Sequence, residues 1–391
     1  GALSSSAQHK ATYALLLMAP SIWLQGRAAV CSAVLNAVGR VRVSAIAYIV
    51  SAVLSIGVAV PLVIWLGGLG APLAILIGSL TLDAVHEVYL REFNFGLRVR
   101  PSLLREREQW RLVSSVLSIA LVGLTMQLQL AISLRSLPGE SGTITAYVYA
   151  FSLIMALLAV TSISASTVAL PDLVRRMQRE DPEAEAADYV VRLSTLSLAA
   201  MVPLLAAAAA FGLPLFEGIL SDALTSERVR VLYHLVLVFI PMGLLFVVTA
   251  IATPVVLARG RERLMVLMAV VVLGGQLVAD VIVHDHALAV GIAQCAAGGV
   301  LTVMVVAAAT GRHAVATFAK VAVGSAPAFL LCLPFLIGIV VGGGASFFVA
   351  LAAAIACLAV YAIAGVLLWP SVLGALPGMA GLRARIAPGA S

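Results

Sequence analysis

Residues 231–257 read VLYHLVLVFIPMGLLFVVTAIATPVVL, an unbroken apolar run with no Asp, Glu, Lys or Arg. An α-helix rises about 1.5 Å per residue, so about 20 such residues cross the ~30 Å hydrocarbon core of a bilayer. A barrel strand needs only ~10 residues of alternating polarity, and this run is too long and too uniformly apolar for one. In lipid the backbone must satisfy its own polar groups within the segment, so the run is read as a transmembrane helix.

The same ruler, moved outward, places further spans near 11–38, 43–65, 69–90, 111–134, 144–171, 189–213, 264–283, 287–310, 318–341 and 346–369. Turn or charge signals separate them, among them Gly39-Arg40, Pro138-Gly139, Gly260, Gly311-Arg312 and Gly342-Gly343-Gly344. The fold class is all-α, a polytopic transmembrane helical bundle of about 11 spans. Composition agrees: 62% of the 391 residues are hydrophobic and 11% charged, where a soluble domain carries about 25%. Lipid, not water, must solvate most of this surface.

Lys and Arg concentrate in cytoplasmic loops. With alternating spans, nineteen of the 24 Lys and Arg fall on one side and four on the other, with Arg27 inside a span. The rich side is cytoplasmic, which places the C-terminus inside and residue 1 outside. Residues 1–10 are polar and show no signal-peptide pattern. An external start without a signal peptide leads to the expectation that an odd number of spans precedes Gly1. Three more would give fourteen.

Ionisable groups within spans are costly and default to functional candidates. Arg27 lies mid-span beside Gly26 and could meet an anionic headgroup or a carboxylate, or serve as a structural ion pair or a snorkelling side chain. Asp83, His86 and Glu87 share one helical face by their i, i+3, i+4 spacing; a wet helix end paired with Arg91 suits them better than a metal site. Gln127 and Gln129 lie two residues apart, so at most one points straight into a cavity. Gln276 and Asp280 are i, i+4; Asp280 is the candidate for ion coupling, with hydration near the outer loop as its plain alternative. Prolines within or at the ends of spans, Pro241 and Pro254 among them, suit helices that bend around a cavity. The four cysteines are far apart inside apolar runs and read as small core residues. No Walker lysine, H-E-x-x-H, Ser/His/Asp grouping or Asp-rich loop is present, so no enzyme, metal or cofactor is expected, and no nucleic-acid partner.

Several local patterns resemble one family. Ala33-Val34-Leu35-Asn36-Ala37-Val38-Gly39-Arg40 resembles the "LLN-x-x-G-R/K" span ending of the lipid II flippases (the MurJ/MviN family of the MOP flippase superfamily). Leu66-Gly67-Gly68-Leu69-Gly70-Ala71-Pro72-Leu73-Ala74 is similar to that superfamily's "G-x-x-G-A-A-x-A". Gly142-Thr143-Ile144-Thr145-Ala146-Tyr147-Val148-Tyr149-Ala150, continuing to Ala169-Leu170-Pro171-Asp172-Leu173, resembles "G-x-V-S-A-L-x-Y-A … x-L-L-P-x-L-S", and Leu257-Ala258-Arg259-Gly260 resembles "F-Y-A-R/L-x-D". Their order matches the family's spans four to fourteen.

The resemblance implies residues 1–100 as the remainder of an N-terminal helical bundle, 101–312 as a C-terminal six-helix bundle, and 313–391 as two extra helices and a cytoplasmic tail. It implies a bacterial inner-membrane flippase that turns over an undecaprenyl-pyrophosphate-linked cell-wall precursor, lipid II foremost, by alternating access. Its partners would be the lipid-linked oligosaccharide, the bilayer and possible cell-wall synthesis proteins. Arg27, Gln127, Gln129 and Ser152 are the substrate-binding candidates. Tyr149-Ala150-Phe151-Ser152-Leu153 departs from the family's "Y-A-D-R-L", and Ser133 stands where an Asp is common. These departures keep open another exporter of the superfamily, a drug antiporter, or a non-transporting cell-wall scaffold.

Overall fold

The computed structural model describes residues 5–37, 40–66, 69–91, 125–137, 142–178, 181–220, 225–283, 286–335, 338 and 346–369. The arginines between 98 and 111, the first half of span 111–134, His284-Asp285, Gly342-Gly343-Gly344, and Arg383 and Arg385 of the tail lie outside them. The described residues contain helices and turns and no strand. By contacts the chain divides into two compact units, Gly1–Glu106 and Arg107–Ser391.

In the first unit α1 (Ser5–Ala37) and α2 (Val41–Leu66) both pack against α3 (Gly70–Arg91). Lipid is as apolar as leucine, so such helices associate through close packing of small residues and through hydrogen bonds rather than by hydrophobic drive. Gly78 shows this directly: a Cβ there would lie 2.8 Å from Ser55 Cβ. The close approach lets Ser51 Oγ donate to the Gly78 carbonyl at 2.7 Å and Ser55 Oγ to the Ala74 carbonyl at 3.0 Å.

The second unit holds α4 (residues 125–136), α5 (Thr143–Leu158), a π-helical turn (Ala159–Ile163), α6 (Ser164–Arg176), α7 (Pro182–Leu220) and α8 (Ser226–Ala258). It continues through α9 (Glu262–Ile282), α10 (Ala287–Thr310), a 3-10 turn (Gly311–His313), α11 (Ala314–Leu331) and α12 (Phe347–Leu368). The apolar run 231–257 lies in α8, the centre of this unit, packed against α5, α7 and α10. Phe239, Met242, Phe246 and Ile251 are fully buried along it. Tyr147 and Phe151 of α5 meet the Phe239 ring edge-on, at 5.1 and 6.1 Å between centroids.

α8 stops because Gly260, at φ 66, takes the left-handed conformation that costs a side chain. The Gly260 N–H donates to Leu257 O at 2.9 Å and the Arg261 N–H to Val256 O at 3.1 Å, the paired bonds of a Schellman ending. Arg259 and Arg261 then reach across to the last carbonyls of α10, Ala309 O at 2.7 Å and Ala308 O at 2.8 Å. Cations suit that helix end, where carbonyls lack intrahelical donors. Arg259 also pairs with Glu183 at 2.6 Å.

In α7, Pro203 has no N–H to give the carbonyl four residues before it, Ala199. Tyr361 of α12 supplies the missing donor: its hydroxyl bonds Ala199 O at 2.7 Å. α11 and α12 both pack on α7.

Among the described residues, seven helical segments are long and apolar enough to span a membrane. One of them, Ala287–Leu331, takes in the expected span 287–310 and residues 318–331 of the expected span 318–341, because the break at Gly311-Arg312 is a single 3-10 turn inside a continuous helical run. The remaining expected spans fall on α1, on α4 and on α5 with α6. The protein is an all-α polytopic membrane bundle.

Candidate functional site

Each unit holds a group of polar side chains that bond one another across helices. In the first, Arg27 of α1 faces Asp83 and Glu87 of α3. Its Nε donates to Asp83 Oδ1 at 2.6 Å and its Nη2 to Glu87 Oε2 at 2.5 Å. The two carboxylates are one helical turn apart, so a single guanidinium fork bridges them. Trp23, one turn earlier on α1, lies under the guanidinium with 5.7 Å from Cζ to ring centroid. Glu87 is shared: its other oxygen accepts from Arg91 Nη2 at 3.1 Å. Of the readings open for Arg27, the structure has the carboxylate contact.

The Glu87–Arg91 pair lies at the end of α3 as the spacing suggested, but the rest of that face is dry. Asp83 is buried, and His86 is fully buried. His86 Nδ1 lies 2.9 Å from Leu82 O and its Nε2 3.5 Å from Ser44 Oγ, which in turn bonds Ser32. Beside this group a cleft of about 420 Å3 is lined by the polar side chains Gln25, Tyr48, Ser51, Ser55 and Ser79. Gln25 Nε2 donates to Ser79 Oγ at 3.1 Å, tying α1 to α3 one turn above Asp83.

The second group joins α4 to α9. Gln276 Nε2 donates to Ser133 Oγ at 2.6 Å and to the Gln129 carbonyl at 3.2 Å, and Ser133 Oγ donates to Asp280 Oδ2 at 3.2 Å. Nearby on α5 and α10, Tyr147 OH donates to Gln294 Oε1 at 2.6 Å. All six side chains are buried; Gln129, Ser133, Gln276, Asp280 and Gln294 have no accessible surface. Asp280 is therefore not hydrated from the outer loop, because α4 covers the helix turn that sequence position alone placed near water.

Several atoms in this group have no hydrogen-bond partner: Asp280 Oδ1, Gln276 Oε1, both amide atoms of Gln129, and Gln294 Nε2. An unpaired polar atom in a low-dielectric interior is costly. Three of these atoms are oxygens, the donor type a hard cation takes. Among the described residues no cluster of three or more His, Cys, Asp or Glu could hold a metal ion, so any cation here would rest on one carboxylate with amide and hydroxyl oxygens.

The other expected site residues lie apart from both groups. Gln127 and Ser152 are exposed on their helices, so of the two glutamines only Gln129 points inward. Sequence reading passed over Tyr147, Gln294 and the role of Ser133. A lone Gln in the apolar run of α10 was the available signal for Gln294. An apolar groove of about 250 Å3 opens between α7, α8 and the end of α11, lined among others by Leu205, Ile240, Leu244, Phe329 and Phe335.

No curated protein sequence gives a significant match. A solved structure of lipid II flippase MurJ in an inward closed conformation shares the fold, with a TM-score of 0.64 at 14% identity, covering 92% of this chain and 74% of that one. The sequence model of the family described as lipid II flippase MurJ matches residues 3–363. That match takes in α1 and its Arg27, the Asp280 group and most of α12, so nearly all of the architecture described above is the family's own. The chain belongs to the MurJ lipid II flippase family.

Proposed function

We propose that the chain is a flippase of the bacterial inner membrane that moves an undecaprenyl-pyrophosphate-linked cell-wall precursor, with lipid II as the cargo, by alternating access. The family match over residues 3–363 carries this reading. The similar structure, an inward closed state of a MurJ flippase, agrees with an alternating cycle. The C-terminus is cytoplasmic and residue 1 external, as the uneven distribution of Lys and Arg indicates. Residues 1–100, 101–312 and 313–391 serve as N-terminal bundle, six-helix bundle and C-terminal extension.

Arg27 is the anion contact for the diphosphate, since guanidinium forks match phosphate oxygens. Gln129 is the inward-facing glutamine, and Gln127 and Ser152 would meet cargo only on the exposed helix faces where they lie. Asp280 holds the coupling cation, helped by oxygens of Gln129, Ser133 and Gln276; its unpartnered Oδ1 supports this. The apolar groove beside α11 suits a prenyl chain. An ion-coupled exporter of another cargo is the second reading, favoured by the same buried carboxylate.

The test is transfer of labelled lipid II across liposomes containing the purified chain, paired with rescue of cells depleted of their own flippase. Transfer that falls in Arg27→Ala and loses its ion dependence in Asp280→Asn is expected. Absence of transfer and of rescue would refute the flippase reading and leave a cell-wall scaffold.

A further inference from the structure

We propose that Glu87 is a built-in competitor for the anion site: cargo diphosphate reaches Arg27 by taking the place of Glu87, which is then held by Arg91. This rests on the reading of Arg27 as the diphosphate contact.

The group Arg27, Asp83, Glu87 and Arg91 carries two positive and two negative charges, so as it stands it has no surplus to attract an anion. One carboxylate must yield. The two are unequal. The Asp83 side chain is 11% exposed and holds Nε, the inner nitrogen of the guanidinium. The Glu87 side chain is 46% exposed and holds the terminal Nη2. Glu87 also already has a second cation on its other oxygen, Arg91, with a side chain 75% exposed. Release from Arg27 therefore strands no charge: Glu87 keeps Arg91, and Arg27 keeps Asp83 while its Nη2 turns to phosphate. Asp83 and the Trp23 ring fix the guanidinium plane during the exchange. Glu87 thus sets a threshold. A diphosphate, with its larger charge and several acceptor oxygens, displaces it, whereas a carboxylate, no better an acceptor than Glu87 itself, does not.

The experiment uses the 391-residue chain in lipid nanodiscs, titrated with a prenyl diphosphate and with the matching prenyl carboxylate, with binding read by native mass spectrometry. Glu87→Gln should bind the diphosphate roughly two- to fivefold more tightly, the range for removing one competing, half-exposed ion pair. It should also bind the carboxylate, narrowing the preference. Arg91→Gln should weaken diphosphate binding, because Glu87 loses its alternative partner, and the double variant should behave as Glu87→Gln alone. Glu87→Asp, which keeps the charge, serves if Glu87→Gln does not fold.

Tightening of equal size in an Arg27→Gln background would overturn the proposal, since the effect would then be one of general charge. If Arg27→Gln weakens binding while the Glu87 and Arg91 variants match the parent, the exchange is wrong and the anion site stands. If Arg27→Gln changes nothing, the anion site itself falls, and the exchange with it.

Discussion

Replacing Tyr361 by Phe removes one oxygen and tests how α7 tolerates Pro203. The hydroxyl donates to Ala199 O at 2.7 Å, and the residue is 8% exposed. Without it that carbonyl lacks a donor at the position four residues on, which is Pro203. Leaving a buried acceptor unpaired costs about 1–3 kcal/mol, whereas an ordinary intramolecular hydrogen bond is worth about 1 kcal/mol net. Tyr361→Phe should therefore destabilise by the larger figure. Pro203→Ala restores an N–H at the position that serves Ala199 O in a regular helix. In that background Tyr361→Phe should cost less than about 1 kcal/mol, giving a coupling of about 1–2 kcal/mol in a double-mutant cycle. Unfolding of the purified chain in mixed detergent, followed by helical circular dichroism, measures all four corners. Strict additivity would show that Tyr361 acts through packing alone and that the orphaned carbonyl is irrelevant.

Two further outcomes follow from the packing and the loop charges. Gly243→Ala would place a Cβ 2.9 Å from Ile154 Cγ2 and 3.0 Å from Met201 Cε, so it should destabilise by about 1–3 kcal/mol in the same unfolding assay, whereas an unchanged midpoint would mean the α5–α7–α8 contact is looser than described. Asp181 accepts the Ala184 and Glu183 N–H groups at the start of α7 and faces Arg312; these bonds, the Ala184 one first, hold its carboxyl below the usual 3.8. A depressed folded-state pKa stabilises above the unfolded value and is lost as pH falls through the folded one. The stability gap between the parent and Asp181→Ala should hold from neutral pH down to about 4 and shrink below it; a gap that widens on acidification would contradict the assignment.

The spans were legible because a bilayer sets a length ruler that no tertiary contact overrides, and α8 needed nothing else. Site residues were legible in proportion to how local their reasons are. The i, i+4 spacing of Asp83 and Glu87 put both carboxylates on one face, which follows from helix geometry alone. That Arg27 is what they face depends on how α1 lies on α3, and local spacing carries no trace of that. Asp280 shows the opposite error. Its distance from the outer loop along its own helix suggested water, yet burial is decided by the neighbour, and α4 excludes it. Ser133 looked like a departure from a family pattern that has Asp there; in the fold it still links Gln276 to Asp280, with a hydroxyl in place of a charge.

The polar group around Asp280 also has a history in time. Ser133 and Asp280 are 147 residues apart, and so are Tyr147 and Gln294. At a synthesis rate of about 5–20 residues per second, roughly 7–30 s separate the two halves of each pair leaving the ribosome. Through that interval Gln129, Ser133 and Tyr147 have entered the membrane while the helices that will satisfy them do not yet exist. The nascent chain must keep α4 and α5 in a sheltered place, beside the insertion machinery or against each other, until α9 and α10 arrive. A ribosome that pauses between α5 and α9 would prolong that exposure, so the pace of translation is itself a determinant of how much of this protein matures.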